Sequence, residues 1–230
     1  MLKLIKLEMK KNNALKYIGY TALAILSLTA LSIAFVFFLG FDDQEMAKDM
    51  ASVSFFVEML TSIVFLIFSA VMHSAFTINA YKNRTMDLMF SYPIKRKKIL
   101  GSKILAVLVF NFISIILAQI IIYGSIYIVS LYLQPALPID FNFLNITFYI
   151  SVILNSLMTI SISLLALFIG MIKKSPIATV VASFFLAALL KGNIGGFSFE
   201  GNVLLPMVLT IVSIVFTFIS INDVEKKDVI

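Results

Sequence analysis

The sequence predicts an all-α polytopic membrane protein. It has six transmembrane helices, an N-terminal interfacial helix, and a short cytosolic helix between spans two and three. Three observations carry this. The 230-residue chain is 61% hydrophobic, with a mean hydropathy of +1.05, whereas soluble domains run at about 45–50% apolar. Its uncharged stretches approach or exceed the roughly 20 residues that a helix needs to cross a bilayer. Its Lys and Arg residues fall on alternate loops, the pattern by which basic cytosolic loops orient a polytopic chain.

The elements follow in order. Residues 1–16 carry five Lys and one Glu and predict a helix lying at the cytosolic interface. Leu2, Ile5 and Met9 share one face, Lys3, Lys6 and Lys10 a neighbouring one, and Leu4 and Leu7 fall off the apolar stripe. Lysine stems on such a helix cover lipid-facing surface while their ammonium groups reach the headgroups; a simple orientation anchor is the plainer reading. Tyr17–Leu39 gives 23 uncharged residues, longer than the 7–15 of a signal-peptide core. It leads into Phe41-Asp42-Asp43-Gln44 instead of a small-residue cleavage site, so it reads as an uncleaved first span. Met59–Ala80 is the second span. Lys103 and Asp140 bracket 36 uncharged residues, and Pro135 and Pro138 place the end of that third helix around Leu133. Phe141–Ile172 holds the fourth span. Ser175–Leu190 supplies a short fifth of 16 uncharged residues, and Gly201–Asn222 the sixth.

The loop charges set the expected topology. Gly40–Glu58 carries one Lys against Asp42, Asp43, Glu45, Asp49 and Glu58, whereas Ala80–Lys103 carries seven Lys or Arg against one Asp. Lys173 and Lys174 follow the fourth span. Basic clusters therefore mark the N-terminus, the second loop and the fourth loop, which puts both termini in the cytosol. The Gly-rich stretch 192–203 reads either as an ordinary outer loop or as a re-entrant segment, since broken helices are tolerated at membrane depth where protein covers them.

Composition also excludes several chemistries. The chain has no Cys and one His, so thiolate nucleophiles, disulfides and His-rich metal sites are ruled out. The net charge of +6 is gathered at helix ends, which favours membrane anchoring over nucleic-acid binding. No HExxH, GxSxG or paired-carboxylate motif is present. Gly101-Ser102-Lys103 lacks the upstream glycine of a phosphate-cradling loop. The chain is therefore not expected to be an enzyme or to bind a cofactor directly.

A few polar residues within the spans stand out. His73 reads either as a neutral imidazole donating one hydrogen bond inside the bundle or as part of a translocation path. Glu58 lies at the outer end of the same span, either solvated among headgroups or near a substrate exit. Gln119 and Asn155 are placed for hydrogen bonds between helices or along the path. Ser151, Ser156, Thr159, Ser161 and Ser163 give the fourth span small polar positions, suited to close packing or to lining a path. In the basic loop, Met86, Met89 and Phe90 stand at i, i+3 and i+4 and share one helical face, with Asp87 on another side and Arg84 near the start. That face fits either a partner's groove or the membrane surface.

The same loop carries a resemblance. Arg84-Thr85-Met86-Asp87-Leu88-Met89-Phe90 is followed by Ser91-Tyr92-Pro93-Ile94, then Lys95-Arg96-Lys97-Lys98, then Ile99-Leu100-Gly101-Ser102-Lys103. This resembles the type-2 permease subunits of ABC exporters, in which a polar helix, a Ser-x-Pro-Ile/Val step and basic residues lead into Ile-Leu-x-x-Lys. The six-span layout, the N-terminal segment and the Glu225-Lys226-Lys227-Asp228 tail extend the likeness along the chain. It implies one permease domain over 1–230 in a bacterial plasma membrane. Residues 84–91 would be the coupling helix, with Arg84, Met86, Asp87, Met89 and Phe90 docking on a separate ATP-binding subunit that holds the ATP and Mg. Residues 1–16 would be the connecting helix, and 192–203 the short outer helices before the last span. A second copy or a related permease would complete the unit. Short chains of this kind resemble exporters of, or immunity proteins against, antimicrobial or toxic amphipathic peptides. The outer loop is very short for the family, and no ATPase is fused. An ATPase-independent channel or secondary transporter using His73 or Glu58, and a membrane scaffold or sensor subunit, are the competing readings.

Overall fold

A computed structural model describes residues 2–41, 53–83, 96–133, 141–191, 193–194, 197–198 and 204–223. The helices are α1 (Leu2–Lys11), α2 (Ala14–Phe41), α3 (Val53–Lys82), α4 (Arg96–Leu133), α5 (Ile146–Lys173), α6 (Pro176–Lys191) and α7 (Leu204–Asp223). The regular elements among the described residues are these helices and one antiparallel pair of two-residue strands, β1 (Asn193–Ile194) and β2 (Phe197–Ser198), with Ile194 opposite Phe197. The cytosolic helix expected over 84–91 lies outside the described residues, as does most of 192–203.

Four helices are long and apolar enough to cross a membrane: α2, α3, α4 and α5. The protein is thus a multi-pass membrane protein. The fifth and sixth expected spans fall on the shorter apolar helices Pro176–Leu190 and Pro206–Ser220. Among the four, α2 is the least enclosed by protein and α5 the most. Exposed Leu23, Leu26 and Leu31 on α2 are the kind of surface that hydrocarbon solvates.

Several boundaries differ from the sequence reading, each for a local reason. The N-terminal segment is not one helix over 1–16. It breaks at Asn12–Asn13, where Asn13 adopts a left-handed φ of 52°, a conformation that Asn tolerates better than most residues. The Asn13 N–H donates to Lys10 O at 3.2 Å and the Asn12 side chain to Glu8 O at 3.0 Å, closing the end of α1. Leu4 and Ile5 with Glu8 and Met9 form the half-buried stripe of α1, while Leu7 is exposed. Leu4 is therefore on the inward side, contrary to expectation. The fourth span, expected within Phe141–Ile172, is helical from Ile146. Asn145 Oδ1 accepts from Thr147 N at 3.1 Å, the N-cap bond that satisfies a free first-turn amide. Asn142 Oδ1 accepts from Leu144 N at 2.9 Å, a turn that competes with helix. α3 begins at Val53 and runs through Glu58, a single half-buried carboxylate that does not end it.

The turn between α5 and α6 shows why that hairpin is tight. Ser175 N donates to Gly170 O and Lys174 N to Met171 O, both at 3.3 Å, the paired bonds of a Schellman cap. Ser175 then caps α6 through Ala178 N at 3.5 Å, and Pro176 takes the first helical position, where its missing N–H costs nothing. Lys174 holds the left-handed position with φ 48°, which glycine occupies without strain. Lys174→Gly is expected to stabilise the chain by about 1 kcal/mol, read as a raised unfolding midpoint in detergent. An unchanged or lower midpoint would contradict the strain.

The chain divides into two compact units. One comprises Met1–Ala14, Phe65–Phe112 and Leu157–Ile230; the other comprises Leu15–Val64 and Ile113–Ser156. In the first, Ile78, Leu100, Ile104, Leu164 and Leu167 form a buried cluster, and Phe168 stacks on Phe216 with centroids 4.8 Å apart. In the second, Tyr123 meets Phe141 and Phe148 edge-on, each at 4.9 Å, and Phe35 of α2 stacks on Phe56 of α3.

Candidate functional site

The first unit contains a buried ion pair. Glu8 of α1 and Lys103 of α4 approach to 2.9 Å, with side chains 13% and 1% exposed. The Lys103 ammonium also donates to the carbonyl of Phe76 at 3.2 Å. Phe76 lies within a π-helical turn, Ser74–Ile78, set into α3. Such turns widen the ladder by one residue and are common at functional positions. One ammonium thus joins three elements: the N-terminal helix, the π turn of α3 and the second turn of α4.

Local sequence explains the placement. Leu100, Lys103 and Val107 stand at i, i+3 and i+7, and all are buried, so Lys103 lies on the inward face of α4. Bringing a lysine there costs desolvation, which only a counter-charge and a further acceptor offset. Glu8 is the one acid in residues 1–16, and it occupies the inward stripe of α1. α3 ends at Lys82 and α4 begins at Arg96, so this junction lies beside both ends of the basic loop. The sequence reading used Lys103 only as a span boundary; its apolar phase with Leu100 and Val107 was the available signal.

The π turn is also held from another side. Gly170 of α5 lies against Thr179 of α6 and Ile78 of the turn. A Cβ on Gly170 would collide with Thr179 Oγ1 and come within 3.3 Å of Ile78 Cδ1.

The other unit gathers two of the expected path residues into one polar layer. Ser62 of α3 donates to Asn155 Oδ1 at 3.5 Å. The next residue on α5, Ser156, lies 3.4 Å from Gln119 Oε1 of α4. A hydroxyl has one hydrogen, and Ser156 also reaches Val152 O at 2.7 Å, the shorter and stronger contact. Glu58, half-buried, belongs to this unit, while His73 belongs to the first. His73 is fully enclosed, and neither ring nitrogen has a hydrogen-bond partner among the described residues. The single donated bond expected for it is not seen there. Ser151 and Ser163 bond back to carbonyls of their own helix at 2.8 and 2.6 Å, which fits packing. Arg84, Met86, Asp87, Met89 and Phe90 lie outside the described residues. Among the described residues, no group of His, Cys, Asp and Glu is arranged to hold a metal.

These features define a helical membrane protein whose polar contacts join helices and assemble no reaction centre among the described residues. The chain belongs to the ABC-2 family of transporter proteins, whose model matches residues 4–190. Members are membrane transport subunits without an ATPase site of their own, and the family implies an ABC ATP-binding partner. Over 166 residues the chain is 29% identical to the uncharacterized protein YcbO of Bacillus subtilis (strain 168), an alignment covering 72% of each. No solved structure matches.

Proposed function

We propose that this chain is the permease of an ATP-driven exporter that carries amphipathic peptides, including antimicrobial or toxic ones, out of a bacterial cell. Family membership supports the transporter class. What supports the coupling is the sequence of the basic loop between α3 and α4, in which Met86, Met89 and Phe90 are spaced i, i+3 and i+4. In this reading the chain is one permease domain with six spans and both termini in the cytosol. Residues 84–91 dock on the separate ATP-binding subunit, which holds ATP and Mg, and a second permease completes the assembly. α6 and α7 cross the membrane as short spans.

The mechanism follows from rigid elements meeting at one loop. Closure of the ATPase pair around ATP displaces the docked segment. That displacement reaches α3 through its C-terminal end and α4 through its first turns. Both helices meet at Lys103, where Glu8 ties them to α1. Paired permeases then exchange an inward arrangement for an outward one. Glu58, His73, Gln119 and Asn155 are the residues proposed along the path. Cargo of amphipathic character suits a surface rich in apolar side chains with few charges.

Replacing Met86, Met89 and Phe90 together with Ser is expected to abolish co-purification with the co-expressed ATP-binding subunit and stimulation of its turnover by peptide. Membrane insertion should be retained. Unchanged capture of the ATPase would rule out docking through this face.

A further inference from the structure

Ser69, His73 and Thr77 follow one another at four-residue steps along α3 and therefore stack on one face. They are 1%, 0% and 0% exposed. Among the described residues, Ser69 Oγ, Thr77 Oγ1 and both ring nitrogens of His73 lack a hydrogen-bond partner. α4 meets α3 at this level. Asn111 donates to Met72 Sδ at 3.4 Å and to Val107 O at 2.9 Å, and its Oδ1 is likewise unpartnered. Five orphaned polar atoms thus fall on one short stretch of α3 and the residue beside it. Buried polar groups are rarely left unpaired, because nothing else offsets the loss of hydration.

The chemistry of the patch selects its occupant. Two hydroxyls both donate and accept, a neutral imidazole offers one donor and one acceptor, and an amide oxygen accepts. No carboxylate is part of the set, and an imidazole with two hydroxyls does not make a ligand set for a hard cation. A small neutral molecule that donates and accepts equally is required. The π turn begins one residue after His73, and such turns widen the helix locally. We propose that Ser69, His73 and Thr77, with Asn111 beside them, hold a short file of internal waters between α3 and α4, each water bridging neighbouring turns. The site stands independently of the transport reading.

The sign of two substitutions tests it. In a dry patch, Thr77→Val removes an unpaired hydroxyl and raises the unfolding midpoint of the full chain in detergent. In a hydrated site the same change strips a water of a partner and lowers the midpoint, by roughly 2–4 °C. Ser69→Ala behaves likewise. A raised or unchanged midpoint for either variant overturns the proposal. X-ray radiolysis in heavy-oxygen water gives a second readout. Oxygen label is expected on Met72 and His73 despite their enclosure, and it should fall in the double variant. Absence of label from both residues also overturns the site.

Discussion

Glu8→Leu is expected to destabilise the protein by about 3–5 kcal/mol, the cost of leaving a buried charge without its partner. Lys103 is 1% exposed, so its ammonium has no route to water once Glu8 is gone. The Phe76 carbonyl would remain as an acceptor at 3.2 Å, but a neutral dipole does not replace a carboxylate. Lys103→Met should cost less, since Glu8 at 13% exposure turns outward more readily. The double variant Glu8→Leu with Lys103→Met is expected to recover most of the loss, because an apolar pair of similar volume often matches or exceeds a buried ion pair. Unfolding of the four proteins in detergent, read as a double-mutant cycle, checks this. Additive losses with no coupling would show that the pair is not formed. If the double variant is stable yet transport-deficient, the pair serves positioning of α1 against α3 and α4, not stability.

That contrast marks what a sequence exposes and what it hides. The membrane class was legible because hydropathy is a sum over a window, and α2 to α5 each carry a long uncharged stretch. The limits of those helices were less so. A charge is a strong signal on a hydropathy trace, and by that signal both Glu58 and Lys103 read as edges. The structure carries helix straight through each. Glu58 sits half-buried on a continuous α3, and Lys103 is enclosed a full turn and more inside α4. Helix edges are decided by local hydrogen bonds, as at Asn145 and Asn13, not by where the first charge falls.

The site was legible in a different proportion. Asn155 stands out in the sequence as a polar group within a span, and it accepts from Ser62 of α3; Gln119 approaches Ser156 of α5, whose hydrogen goes to its own helix. The Glu8–Lys103 pair was not legible, because its members are 95 residues apart and each belongs to a segment read for its net charge. The π turn left no trace in composition: Ser74-Ala75-Phe76-Thr77-Ile78 is unremarkable apolar helix. What packs on it is visible only in three dimensions: Lys103 at one carbonyl and the α5–α6 hairpin at Ile78.

The hairpin contact yields the second large effect. Gly170→Ala is expected to destabilise the chain by about 1–2 kcal/mol, reversing the usual sign for glycine within a helix. Alanine is ordinarily worth about 1 kcal/mol over glycine there. At Gly170 that gain is outweighed by overpacking, which costs about 1–3 kcal/mol in a filled interior. The added methyl would collide with Thr179 Oγ1 and lie 3.0 Å from Thr179 Cβ, and moving that hydroxyl away by a change of rotamer gives up its bond to Ser175 O. Thr179→Ala should remove the worst of the collision. On its own it forfeits only a long bond to Ser175 O at 3.3 Å, so combined with Gly170→Ala it should restore most of the loss. Failure of that rescue would place the strain elsewhere. Because Ile78 Cδ1 is only 3.3 Å from the same methyl, any residual defect acts on the π turn. The turn in turn presents the Phe76 carbonyl to Lys103. A change at α5 would then be felt at the pair joining α1, α3 and α4, without either charged residue being touched.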